Sequence, residues 1–150
     1  MRVIIQRVRE ATVVVEDEKV ANIQQGLLVL LGIEIEDSKE DANWLAKKIS
    51  ALRIFSDEEG VMNKSITEIG GEVIVVSQFT LYAKTKKGNR PSYIKASRPE
   101  QAIPLYGLFK EELSQLLGKK VQSGFFGANM QVSLINDGPV TIIIDTKNKE

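Results

Sequence analysis

Residues 134–144 read LINDGPVTIII, and the parsing of this stretch decides how the last strands of the chain connect. Val132 and Leu134 lie before its centre; Val140, Ile142, Ile143 and Ile144 lie after it. These residue types favour strands. Between them, Asn136-Asp137-Gly138-Pro139 carries the turn chemistry of a hairpin tip. The pattern predicts two strands, roughly 130–135 and 140–145, joined by a tight turn. Pro139 complicates that reading, because it has no N–H for a ladder and fixes its own φ. X-Pro bonds are the ones with realistic access to the cis form, and a preceding Gly relieves the steric restriction on the residue before Pro. Two readings stand. The Gly-Pro pair is only a turn, or it is a rigid tip presenting two carbonyls and almost no side chain.

Working outward, residues 2–8 and 11–15 are rich in β-branched side chains and predict strands, with the polar turn EDEKV at 16–20. GLLVLLGIEI, 26–35, is a continuous apolar run of the kind buried on both faces of a sheet. Asp37 or Ser38 can cap a helix whose apolar stripe is Trp44, Leu45, Lys48, Ile49 and Leu52. SDEEGVMNKS, 56–65, is a polar loop, and EVIVVSQFTLY, 72–82, is a strong strand. The Gly- and Pro-punctuated segment from Ala83 to Gln101 predicts a long functional loop. Pro99 suits the first turn of a second helix, with Pro104 near its start. Leu105, Leu108, Phe109, Leu113, Leu116 and Leu117 form its expected buried face, and Gly118 its end. A strand at 120–126 precedes the terminal pair. Many strands with two helices predict a single α/β domain over 1–150, its mixed β-sheets partly closed into a barrel-like core with the helices outside.

Composition narrows the chemistry. The chain is 43% hydrophobic and 27% charged over 150 residues, enough to bury a core without staples. Lys+Arg and Asp+Glu both total 20, which argues against bulk electrostatic coating by nucleic acid or an acidic membrane. A local patch stays open. Cys and His are both absent. A Ser-His-Asp triad, a Cys-His pair and a Cys- or His-based zinc site are thereby excluded. The N-terminal MRVIIQRVREATVVV has neither signal-peptide nor membrane-span character, so a soluble, cytoplasmic protein is expected. GxxxxGK[ST] and GxGxxG are missing, and no metal or cofactor is expected.

Three further constellations bear on function. In VVSQFTLY, Ser77, Gln78 and Thr80 interrupt an apolar strand. Either the strand passes to a wet edge, or its end is a polar mouth where the 79–80 N–H groups face a developing oxyanion. From Lys84 to Arg98 run Lys84, Lys86, Lys87, Arg90, Lys95 and Arg98 without an acid. This is a solvated loop, or a phosphate-contacting strip assisted by Ser92 and Tyr93. In GFFGANMQVSL, 124–134, Phe125, Phe126 and Met130 are plain core or the adaptable apolar wall of a cleft.

Taken together, SQFTLY (77–82), KGNRPS (87–92), FGANMQVSL (126–134) and NDGPVT (136–141) resemble the D-aminoacyl-tRNA deacylase family, as do QRV near the start and GLLVLLGIE in the third strand. Asn129 stands where members of that family often carry Asp. The resemblance implies a tRNA-binding homodimer that hydrolyses the ester of tRNA charged with a D-amino acid or glycine, as a proofreading step in translation quality control. It implies that Ser77, Gln78, Phe79 and Thr80 form the ester site, with Ala102, Phe126 and Met130 lining the pocket. Gly138 and Pro139 would form a Gly-cis-Pro motif inserted into the partner's pocket, where main-chain atoms reject an L side chain. Lys84, Lys86, Lys87 and Arg90 would contact tRNA. An aminoacyl ester is reactive and its ribose offers a vicinal hydroxyl, which makes the lack of His intelligible. Thr80, with no base to activate it, is expected to matter less as a nucleophile than its place suggests. A non-catalytic dimeric RNA-binding module using the 84–98 loop is the alternative, and an esterase for another small acyl ester the third reading.

Overall fold

The computed structural model describes residues 1–150. Eight strands and two long helices follow in the order β1 (Arg2–Val15), β2 (Glu18–Ile23), β3 (Gly26–Gly32), α1 (Lys39–Ala51), β4 (Phe55–Ser56), β5 (Met62–Lys64), β6 (Glu72–Ser77), α2 (Pro99–Leu117), β7 (Gln122–Ser123) and β8 (Gln131–Asp145). The two expected N-terminal strands are one long strand. Along one edge, the first half of β1 pairs with β3 and its second half with β2; β8 runs antiparallel along the other edge. From β3 the sheet continues through β6 to β7, and these pairings are parallel. The curled sheet is nearly closed: the Gln122 side chain accepts from the Asn22 N–H (2.7 Å) and donates to the Asn22 carbonyl (2.9 Å), joining β7 to β2.

β3 is buried on both faces, as its unbroken apolar run predicts. Leu27, Val29 and Leu31 face the helices, with Val73 and Val75 of β6 beside them. Leu28, Ile74 and Val76 point into the barrel with Val8, Val13 and Ile23. The period-2 alternation of strands thus splits the apolar side chains into two clusters, one between sheet and helices and one inside the barrel.

Helix α1 is capped at Ser38, whose N–H donates to the Asp41 carboxylate at 2.9 Å. Burial alone would raise the Asp41 pKa, but hydrogen bonds from Lys147, Thr146 and Ser38 outweigh it and hold that carboxyl well below the usual range. Helix α2 begins at Pro99, contains Pro104 within its first turns and ends at Gly118. Its buried face is Ala102, Leu105, Tyr106, Phe109 and Leu113. Leu116, expected inside, is exposed. The strand expected over 72–82 stops at Ser77 and turns into a 3-10 helix over Phe79–Tyr82.

The predicted C-terminal hairpin is not there. Residues 131–136 pair with β1 from Val14 back to Val8, and 141–145 pair with it from Gln6 back to Arg2. The chain never reverses. Asp137, Gly138, Pro139 and Val140 stand as a bulge opposite Arg7 alone. Asn-Asp-Gly chemistry suits a reversal and a bulge equally, and only a neighbouring strand decides between them. Here that neighbour is the unusually long β1.

No helix is long and apolar enough to cross a membrane. The Met1 ammonium and the Asp37 carboxylate form an ion pair in which both side chains are excluded from solvent. The ammonium also donates to the Thr146 hydroxyl at 2.6 Å.

Candidate functional site

The parallel strands β3 and β6 run the same way, so their carboxyl ends open together. Open sheets bind ligands outside such ends. A cleft of about 270 Å³ lies there. Leu31 and Ile33 leave β3, and Val76, Ser77, Gln78 and Phe79 leave β6. Ala102 on the first turns of α2 closes one side, and residues 126–130 with Val132 form the opposite wall. Six of the residues expected at the ester site and pocket line it: Ser77, Gln78, Phe79, Ala102, Phe126 and Met130. Thr80 does not, and Phe125, considered for the wall, is 56% exposed and outside it.

The break from strand to 3-10 helix explains the polar run. The Gln78 N–H is held by the Leu31 carbonyl at 2.8 Å, extending the ladder one step past β6. The next N–H groups, of Phe79 and Thr80, fall in the first turn of the 3-10 helix, where no carbonyl lies a turn earlier to take them. The Gln78 side-chain amide donates to the Thr80 hydroxyl oxygen at 2.5 Å, tying that hydroxyl to a residue that lines the cleft.

No lining residue has an ionisable side chain. Tyr106, just behind Phe126, packs edge-to-face on it at 5.6 Å and donates its hydroxyl to the Val75 carbonyl at 3.0 Å. Burial pushes that phenol up to about 12, so it serves β6 as a neutral donor. The cleft can orient an apolar or small polar group and offer N–H donors; it cannot supply a side-chain base.

Met130 is positioned by a glycine. A Cβ built on Gly124 would meet the Met130 sulfur at 2.2 Å. Gly124→Ala is therefore expected to swing the thioether off its wall and reshape the cleft, cutting kcat/KM about tenfold with little loss of fold. Steady-state kinetics beside thermal melting check this; unchanged kinetics would remove Met130 from any role in the cleft.

Gly138 and Pro139 line no part of this cleft; both are exposed and joined by a cis peptide bond. Their bulge is braced from within. Arg7, only 9% exposed, donates to the Ile54 carbonyl (2.6 Å) and the Asp137 carbonyl (3.1 Å) and pairs with the Asp137 carboxylate (3.3 Å). The Asn136 amide donates to the Arg7 and Val140 carbonyls, both at 3.0 Å, closing the neck of the bulge. Gly138 sits at φ 129° with the Arg7 guanidinium 3.1 Å from where a Cβ would stand, so no L side chain fits. Sequence reasoning missed Arg7 as a brace and Ser97 as a lining residue. Arg7 lies in the QRV stretch that carries the resemblance, but its role as a brace and the place of Ser97 both depend on contacts distant in sequence.

Lys84, Lys86, Lys87 and Arg90 are exposed and none is paired with a carboxylate. Backbone bonds between Lys84 and Ser92 (2.8 and 3.0 Å) close their loop into a hairpin beside the cleft.

The fold and cleft have counterparts among known proteins. The family described as D-Tyr-tRNA(Tyr) deacylase matches residues 4–145. Proteins named D-aminoacyl-tRNA deacylase from Flavobacterium psychrophilum and Parabacteroides distasonis are 66% and 61% identical, each pair aligned over the whole of both chains. A solved structure described as a c-Myc DNA unwinding element binding protein is 40% identical, with TM-score 0.89, over 97% of this chain and 98% of that one. A probable eukaryotic D-amino acid tRNA deacylase, 18% identical, shares the fold with TM-score 0.83 over 95% of this chain and 97% of that one. The chain belongs to the D-Tyr-tRNA(Tyr) deacylase family and is a hydrolase of carboxylic esters.

Proposed function

We propose that this chain hydrolyses the ester of D-aminoacyl-tRNA, and of glycyl-tRNA, as a homodimer in which the Gly138–Pro139 bulge of each subunit closes the other's cleft. The observation that carries this reading is a complementarity. One surface holds a braced bulge whose Gly138–Pro139 tip carries almost no side chain and lines no cleft of its own chain. Another holds a cleft open on one side, rich in small and apolar residues. Bulge carbonyls would hold the substrate's α-ammonium and leave no room for a side chain on the L face. Glycine has no side chain to reject, so it would pass.

Ser77, Gln78 and Phe79 would position the ester, and the first-turn N–H groups of Phe79 and Thr80 would stabilise the oxyanion. With no ionisable side chain in the cleft, water activation falls to the substrate, whose vicinal ribose hydroxyl is adjacent to the ester. Thr80 is tied to Gln78 and stands outside the lining, which favours a supporting role. Thr80→Ala is expected to keep activity within about threefold under single turnover. Trapping an acyl-enzyme on Thr80, with Ala abolishing turnover, would reinstate it as nucleophile.

The deciding experiment incubates D-Tyr-tRNA and L-Tyr-tRNA with equal enzyme and excess chelator. Loss of the D-ester alone supports the ester site and its rejection of the L face. Equal loss of both would reduce the bulge to a structural irregularity. Survival of both would favour a second reading, a nucleic-acid-binding module using the 84–98 segment, which the DNA-binding name of the 40% identical structure also suggests.

A further inference from the structure

We propose that Tyr93, flanked by Phe79 and Ile94, is a stacking platform for the base immediately upstream of the esterified nucleotide, so that the RNA end is gripped by an aromatic as well as by charge. This rests on the reading of the cleft as an aminoacyl-ester site.

Phe79, Tyr93 and Ile94 are 56%, 37% and 71% exposed, a cluster of large apolar side chains beside the cleft. The Phe79 and Tyr93 rings lie 5.0 Å apart at 76°. Rings crossed this way do not stack on one another, and each keeps a face for a third ring. Phe79 lines the cleft, so Tyr93 stands one ring further out along the path a polynucleotide must take.

Backbone bonds hold Tyr93 on both sides. The Lys84–Ser92 pair closes the hairpin just before it, and the Ala96 N–H donates to the Tyr93 carbonyl at 2.9 Å just after it. The Ile35 N–H then pins the Lys95 carbonyl at 3.2 Å. A ring held in this way loses little freedom on binding. Around it Lys84, Lys86, Lys87, Arg90, Lys95 and Arg98 are all without a carboxylate partner, while no acid occurs between Lys84 and Arg98. Aromatic rings among unpaired cations suit a single-stranded nucleic acid, whose bases stack while its phosphates meet the charges. An acidic protein surface would use the cations and leave the rings idle.

The test measures binding of an uncharged oligoribonucleotide ending in CCA, and of the same strand abasic at its penultimate position, across a salt series. Tyr93→Ala is expected to weaken binding of the intact strand about 5- to 100-fold without altering the salt slope. Tyr93→Phe should bind as the wild type does, because stacking needs the ring and not the hydroxyl. The abasic strand should bind the wild type more weakly, yet bind Tyr93→Ala no worse than the intact strand does. Lys86→Ala should by contrast lower the salt slope. Equal affinity of Tyr93→Ala and wild type, or an equal abasic penalty in both, overturns the platform. So does a Tyr93→Ala protein that loses dimerisation and keeps oligonucleotide affinity, which would make the rings a contact with a second copy. Wild-type cleavage of D-Tyr-tRNA is measured alongside. Failure there sinks the ester-site reading, while the binding arm still judges Tyr93.

Discussion

Arg7→Ala is expected to lower the deacylation rate of a D-aminoacyl ester more than a hundredfold, although Arg7 is no part of the cleft. Its guanidinium reaches two carbonyls and one carboxylate that meet nowhere else. Removing it strands the buried Ile54 carbonyl and frees the part-buried Asp137 backbone next to Gly138. One unsatisfied buried carbonyl costs about 1–3 kcal/mol, so stability also falls by about that much. The larger effect is on geometry, because a misplacement of about 1 Å at a reacting centre costs on the order of 10²-fold. Arg7→Lys should rescue little, since one ammonium cannot replace a planar fork that reaches Ile54 and Asp137 together. Single-turnover deacylation of D- and L-esters, at a temperature where circular dichroism shows the variants folded, gives the readout. A folded Arg7→Ala protein with normal rate and normal D-to-L ratio would show that the bulge either holds itself or plays no part.

The second large effect concerns stability. Asp37→Asn leaves the Met1 ammonium without its anion in a site with no solvent access. Breaking a buried pair from one side costs about 3–5 kcal/mol. At roughly 2–4 °C per kcal/mol for a chain of this size, the melting temperature should drop by about 6–20 °C. The loss reaches the cleft, because Asp37 also accepts the Glu34 N–H at 2.8 Å and so shapes residues 33–37. That segment holds the Lys95–Gln101 stretch through the Ile33 and Ile35 carbonyls and the Ile35 N–H. Thermal denaturation of Asp37→Asn beside Lys147→Met separates the contributions. Lys147 is 37% exposed and lies 4.0 Å from Asp37, its closer partner being Asp41 at 2.8 Å, so its removal should move the melting temperature far less than loss of Asp37 does. Equal melting of all three proteins would show that solvent reaches the ammonium after all.

Much of this architecture is legible locally. An apolar run without alternation marked β3 as buried on both faces, and the polar residues ending an apolar strand marked the mouth of the cleft. Ser77, Gln78, Phe79, Ala102, Phe126 and Met130, brought to notice by motif resemblance, do converge on one cleft. The failures share a cause. Whether Asn136-Asp137-Gly138-Pro139 reverses the chain depends on β1, far away in sequence, and Arg7 matters only because β1 passes under the bulge. The exposure of Phe125 and Leu116 likewise depends on which neighbours arrive, which residue type alone does not report. Strand periodicity also says nothing about where a strand stops, so the turn into a 3-10 helix at Phe79 went unseen.

The uninterrupted course of β8 also sets what the chain can tolerate by way of length change. The segment from Lys86 to Arg90 is a hairpin tip closed by one backbone pair, and extra residues there would only lengthen a protrusion. The stretch from Asp137 to Val140 is anchored to β1 on both flanks. Deleting a single residue from it would either pull the Gly138–Pro139 tip in towards Arg7 or slip the register of Thr141 through Asp145 and exchange their inner and outer faces. Among natural relatives, variation in loop length should therefore gather at the basic tip and vanish at the Gly-Pro step, even where the surrounding side chains diverge freely.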